Sequence, residues 1–533
     1  MRRLLLLLGS LSALAFAFQQ APGRFIISGT MVEHATNRPL SGVLVILSPN
    51  AAPNQQLTVI TGSDGRFTFT NCPAAKYSLL AQRRGDPEIY GYLGTEGYST
   101  GIVTGPNFQT TNLVFPLEAP ASIAGTVLDE GGEPVNQAMV ILLRKWVISG
   151  RHQVSQMPQK MTSSSGRFRF AHLAPGTYFI AVQARPWYAR NPGPAPDGTL
   201  PENARELDLA YPVTYYGDTT NGAAAAPITL AEGASVTVQI DLRAVAAIHV
   251  PVSGVDPQGG GLAGGLFAEG PGGVPMPTGM VVGMGSSYEL WVAPGHYRVE
   301  LQGFSRDSKM QASVHQTVDL SAGSTISLQS ASSISVSGQV VFEGVDRPVE
   351  GAGVVLTNGT QRFDTQVQPD GSFSFSGRAP LPGRYEVYSQ NVPDGYVKSV
   401  TAKGAAVSGD TVEIADGASV QLSVVVGKGV RAKLDGIALK DGKPRSGAMI
   451  LLLPQDLNRT LLTRRDQSDS DGTFTLPEIV PGRYTLLAID DGRDLAYQEP
   501  AVIQPYLRER QLIDIPMIDD TPVKVNVVSR RRD

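Results

Sequence analysis

The chain has 533 residues, 42% hydrophobic and 17% charged, and its 44 basic and 48 acidic side chains leave a net charge of −4. That balance excludes a general polyanion binder and argues against nucleic acid as the partner. A single cysteine, Cys72, excludes an intramolecular disulfide framework, a CxxC redox centre and a cysteine-rich zinc site, while 58 glycines and 38 prolines point to dense turns.

In chain order the first element is a targeting segment. Met1-Arg2-Arg3 is a short basic start, an apolar run extends from Leu4 to Phe18, and Ala15-Phe16-Ala17 fits a small-x-small cleavage site. A signal peptide is therefore expected over 1–17, which makes the mature chain exported, periplasmic or extracellular. No later stretch approaches the about 18 apolar residues of a membrane span, so no transmembrane segment is expected in the mature chain.

After this segment one phrase recurs: a turn glycine, an aromatic strand, then a turn, a tyrosine and a second strand. It reads Asp64-Gly65-Arg66-Phe67-Thr68-Phe69 with Tyr77, then Ser165-Gly166-Arg167-Phe168-Arg169-Phe170 with Pro175-Gly176-Thr177-Tyr178. A weaker copy has Gly285 and Tyr288 with Pro294-Gly295-His296-Tyr297. Two more follow, at Asp370-Gly371 with Phe373, Phe375 and Tyr385, and at Asp471-Gly472 with Phe474 and Tyr484. From turn glycine to tyrosine the spacing is 12, 12, 12, 14 and 12 residues, too constant for chance. A glycine also marks a first strand at Gly29, Gly125, Gly254, Gly338 and Gly436. Apolar residues alternate with period two, as in Tyr178, Ile180 and Val182, and no long helical period appears after residue 18. Short strands between turn signals, in units near 100 residues, predict an all-β chain of tandem antiparallel β-sandwiches, five units in number. Their expected bounds are 24–119, 120–244 with a long insertion at 183–218, a divergent 245–331, 332–429 and 430–529.

The phrase resembles the carboxypeptidase regulatory-like domain of secreted bacterial proteins. The second unit carries the resemblance best, in Gly125-Thr126-Val127, Pro134-Val135, Ala138-Met139-Val140, Thr162, Gly166 to Phe170 and Leu173 to Tyr178. The resemblance implies a seven-stranded transthyretin-like or immunoglobulin-like sandwich, grouped with carbohydrate-binding-like folds, and no chemistry of its own. The first unit departs from the pattern at Ala75, where glycine is usual, and the third departs most.

Catalytic patterns are weak. Six histidines are present, none opens a His-x-x-Glu string, and His-Glu-x-x-His is absent. Gly97-Tyr98-Ser99-Thr100-Gly101 has the letters of a nucleophile elbow, but a strand and a turn follow where a helix is required. Asp466, Asp469 and Asp471 before Gly472 have partial calcium-loop spacing without the closing glutamate, and read as a hairpin turn. Lys433 and Asn526 lie on outer strands where related sandwiches carry an amide crosslink, but no carboxylate is clearly placed to assist one. The expectation is a protein that is not an enzyme, without cofactor or metal.

The insertion at 183–218 is the candidate site. Trp187, Tyr188, Tyr211, Tyr215 and Tyr216 stand there among prolines and glycines, and ring faces on loops suit stacking on sugars. Arg185, Arg190, Asp218 and Asn221 supply polar groups nearby. The function read from these features is a secreted or cell-envelope binding or scaffold protein, with polysaccharide or envelope proteins as candidate partners. The alternative is an accessory partner of a secreted peptidase or glycosidase.

Overall fold

The structure is a computed structural model that describes residues 24–86, 88–94, 97–189, 206–254, 261–284, 288–305, 310–330, 334–344, 348–358, 361–375, 380–393, 395–428, 432–515 and 522–531. The signal segment expected at 1–17 lies outside the described residues. Nearly every described element is a strand, and among the described residues no helix is long and apolar enough to cross a membrane.

The strands form successive two-layer sandwiches. Over 25–117, a three-stranded sheet of Phe25–Glu33, Arg66–Cys72 and Leu113–Leu117 faces a five-stranded sheet built on Leu44–Pro49 and Lys76–Gln82. Ile27, Met31, Phe67 and Phe69 of the first layer meet Val45, Leu47, Tyr77 and Leu79 of the second in one buried cluster. The pattern returns as three strands against six over 121–241, three against five over 248–330, and four against five over 335–428. Over 432–528 a single eight-stranded sheet folds round its own core. Each of these stretches has a separate apolar cluster.

Most pairings are antiparallel. The exceptions run in parallel: Phe25–Glu33 with Leu113–Leu117, Ala121–Leu128 with Ser235–Asp241, Ile248–Ser253 with Ile326–Ser327, Ser335–Phe342 with Ser419–Lys428, and Ala432–Lys440 with Val523–Val528, which also runs parallel to Gly482–Ile489. Parallel neighbours need a long crossover, and here the rest of the sandwich provides it. The first strand of each stretch is thereby joined to a strand at or near its end, closing it as a unit.

The recurring residues have specific structural tasks. All five phrase tyrosines are buried, and each hydroxyl donates to the carbonyl four residues earlier: Tyr77 to Pro73 at 3.0 Å, Tyr178 to Ala174 at 2.7 Å, Tyr297 to Ala293 at 2.7 Å, Tyr385 to Leu381 at 2.9 Å and Tyr484 to Val480 at 2.7 Å. The ring fills the core while its one polar atom satisfies a turn carbonyl that would otherwise lose its water. The turn glycines Gly65, Gly166, Gly371 and Gly472 have positive φ, +68° at Gly166 for example, where a side chain would be strained and would meet the Val127 carbonyl at 2.6 Å; Gly285 lies outside the described residues.

The first-strand glycine is a cradle for the aromatic strand beside it. Gly29, Gly125, Gly338 and Gly436 pair with Phe67, Phe168, Phe373 and Phe474. A Cβ on Gly125 would come within 2.5 Å of the Phe168 ring and 2.7 Å of the Val238 carbonyl. The third stretch breaks this rule. Tyr288 stands where the phenylalanine would be and pairs with Val252, not with Gly254, and it sends its hydroxyl outward to the Gly283 carbonyl. Gly254 is instead a positive-φ residue tight against the Leu328 carbonyl.

The last sandwich folds back onto the first two. Gln467 donates to Thr100 Oγ1 at 3.0 Å, Arg465 lies 4.3 Å from the Tyr98 ring centroid, and Arg493 reaches Glu118 at 3.3 Å. On the second sandwich, Gln498 N–H donates to the Gly150 carbonyl at 2.8 Å and His152 N–H to Glu499 at 2.7 Å. Arg459 joins the last sandwich to the fourth through Asp410 at 3.1 Å and the Val397 carbonyl at 2.9 Å.

Candidate functional site

The insertion splits into two parts with different environments. Its first strand, Gly176–Gln183, is a central strand of the six-stranded sheet and releases the chain at Ala184. Trp187 then stands 81% exposed, with its ring edge-on to Tyr188 at 5.6 Å between centroids. Tyr188 and Tyr211 converge on Glu130, in the turn after the first strand of the same sandwich. The Tyr188 hydroxyl donates to Oε1 and the Tyr211 hydroxyl to Oε2 at 3.1 Å. Partial burial raises the Glu130 carboxyl pKa, and the two phenolic donors with backbone N–H groups more than offset this, so it is held below the usual range. Burial and the same carboxylate push the Tyr188 phenol up to about 12. The result is a surface group in which two phenols hold one carboxylate and Trp187 packs edge-on to one of them.

Tyr215 and Tyr216 face the other way. Tyr215 is fully buried in a cluster of Ile141, Leu143, Ala181, Val213 and Met276, and its hydroxyl donates to the Glu269 carbonyl at 3.2 Å. It is a packing residue of the joint between the second and third sandwiches. Tyr216 packs against the second core. The alternation of a strand sets these two apart: Thr214–Tyr215 adds to the edge of the six-stranded sheet, so Tyr215 turns into the joint and Tyr216, the next residue, onto the second core. Of the polar groups expected beside the rings, Asn221 caps a short 3₁₀ turn by accepting from Ala223 N–H at 3.0 Å. Asp218 sits in a turn at φ 55°, and Arg190 lies outside the described residues.

Sequence reasoning missed a second polar cluster at this joint. Arg185 stacks on Trp291 at 3.8 Å from the ring centroid. Trp291 Nε1 donates to Asp208 Oδ1 at 2.8 Å, and His249 bridges Asp208 at 2.9 Å and Glu289 at 3.1 Å. Burial lowers the imidazole pKa, and the hydrogen bonds it makes to the Glu289 and Asp208 carboxylates, with their charges, outweigh it, so the net shift is upward. Asp208, within the insertion, is thereby tied to the third sandwich. Four separate segments contribute, which is why no local string reveals it.

The weak catalytic patterns have other partners. Ser99 stands before Ile102–Val103, a two-residue strand, with no helix behind it. Its neighbours Thr100 and Gly101 dock on the last sandwich. Asp471 Oδ1 accepts from Thr473, Asp466 Oδ2 accepts from Thr475, and Asp469 pairs with Lys76. Lys433 pairs with Asp435 at 2.7 Å. Asn526 sits opposite Leu439, roughly 20 Å along the strand from Lys433 at the usual rise per residue. Cys72 is buried in the first core, and burial pushes its thiol up and away from reactivity.

No family model and no curated protein matches the chain. Among solved structures, the minor pilin of Streptococcus agalactiae aligns at 14% identity over 41% of this chain and 96% of its own, with a TM-score of 0.22. The shaft pilin of Lactobacillus rhamnosus GG aligns at 12% identity over 44% of this chain and 100% of its own, at 0.20. The Bacillus anthracis TIE protein aligns at 10% identity over 96% of this chain and 75% of its own, at 0.16.

Proposed function

We propose that the protein is an exported, non-catalytic scaffold of the cell envelope, built from five sandwich units with the bounds expected above, and that it binds polysaccharide through loops. The observation that supports this reading most is how the repeated residues are used. The tyrosine closes the core of every sandwich, the turn glycine and first-strand glycine serve the same end in all but the third, and the loops differ from one sandwich to the next. The carboxypeptidase regulatory-like resemblance agrees with such a role.

The binding site belongs to Trp187, Tyr188 and Tyr211. Trp187 offers a flat apolar ring, and Glu130 between the two phenols offers a fixed acceptor for a sugar hydroxyl. Tyr215 and Tyr216 support this loop from below. The test is retention of purified protein on insoluble glycans and envelope fractions. Trp187→Ala should reduce retention at least several-fold and leave thermal unfolding unchanged, because the ring is exposed. Unchanged retention on every glycan that the wild type binds would remove this loop as the site, and no retention by the wild type would remove polysaccharide as the ligand.

A further inference from the structure

The hairpin before Gly472 has counterparts before Gly65, Gly166 and Gly371. Three residues before the turn glycine these have Gly62, Ser163 and Gln368, all exposed. The last sandwich has Asp469 there, and its side chain is only 4% exposed. What covers it is the first sandwich. Gly101 N–H donates to Asp469 Oδ1 at 3.2 Å, and Lys76 Nζ lies 2.7 Å from Oδ2. Ser470 N–H donates to the Gly101 carbonyl at 2.8 Å and Ser470 Oγ accepts from Val103 N–H at 2.9 Å. The approach is so close that a Cβ on Gly101 would stand 2.6 Å from Asp469 Oδ1.

We propose that this contact is a proton-linked clasp, by which the first and last sandwiches close more tightly on each other as the surrounding medium acidifies. The closed form takes a carboxylate out of water that the open form would expose, as the counterpart positions are exposed. Burial pushes the Asp469 carboxyl up to about 6, against the pull of Lys76. Asp466 and Asp471, the other charges that face it, push the same way. In the open form the group returns to water and to the ordinary range near about 3.9. The closed form therefore binds the proton more tightly. Closure gains as pH falls through about 6, and the gain levels off below about 4. Between pH 7.5 and 5.0 this linkage amounts to about a tenfold change in the closing equilibrium. An exported protein meets the pH of its surroundings, so the device would act where the chain is expected to work.

Amide hydrogen exchange of the full chain tests this, because Gly101 and Val103 N–H are bonded across the contact. After correction for intrinsic rates, protection of the peptide over 97–105 should rise about tenfold from pH 7.5 to 5.0. Asp469→Asn keeps an oxygen for Gly101 but has no proton to take up, and should remove that rise. Lys76→Met leaves the buried carboxylate unopposed and should steepen it. The Asp469→Asn arm also separates the effect from His152, which pairs with Glu499 at the neighbouring contact. Equal slopes in wild type and Asp469→Asn, or a Lys76→Met slope no steeper than that of the wild type, would overturn the proposal.

Discussion

Replacing Tyr484 by alanine is expected to cost the last sandwich about 3–5 kcal/mol, the range for truncating a buried aromatic. The side chain is 2% exposed and lies in one core with Ile450, Leu452, Phe474 and Leu486. Its hydroxyl also satisfies the Val480 carbonyl, which truncation would strand. Tyr484→Phe separates the two contributions and should cost about 1 kcal/mol, the worth of a single hydrogen bond. Calorimetry of the full chain checks both. The transition of the last sandwich should move, the first should follow only as far as their contact couples them, and the core around Tyr297 should unfold where it did before. A single transition that shifts as a whole would contradict separate cores.

Gly125→Val should also be damaging, by the opposite route. The added side chain would meet the Phe168 ring on one side and the Val238 carbonyl on the other. The ring is held in the core against Phe170, and the carbonyl belongs to the parallel strand that closes the sandwich, so neither can withdraw without loss. Overpacking of this kind costs about 1–3 kcal/mol or more. Denaturant unfolding should show the loss in the second sandwich. Full stability retained by Gly125→Val would mean that the glycine is not the cradle of the aromatic strand.

What the sequence made legible was whatever is local and repeated. Turn glycines, aromatic strands and buried tyrosines follow from period two and fixed spacing, and the structure uses them in that way. The parallel closing pair was not legible, because nothing in the strand Val523–Val528 says which neighbour it will take. Nor was the split within the insertion. Tyr211 and Tyr215 look alike in sequence, yet one reaches Glu130 at the surface and the other fills the joint with the third sandwich. That choice depends on residues such as Met276 that arrive from another unit. The meeting of Gly101 with Asp469 spans 368 positions and was hidden for the same reason. In the string Gly97 to Gly101, which has the letters of a catalytic turn, it is Gly101 that the close approach requires.

The return of the last sandwich to the first is the claim most directly open to test. Leu93 and Gly447 face each other across the contact, and a Cβ on Gly447 would lie 3.6 Å from that of Leu93, within the range a disulfide spans. The double variant Leu93→Cys with Gly447→Cys, oxidised at high dilution, should form that bond within one chain. The native Cys72 is buried and should stay apart from it. Peptide mass spectrometry that finds the 93–447 bond in monomeric protein is the predicted result. Two free thiols, or bonds formed only between chains, would contradict the closed arrangement.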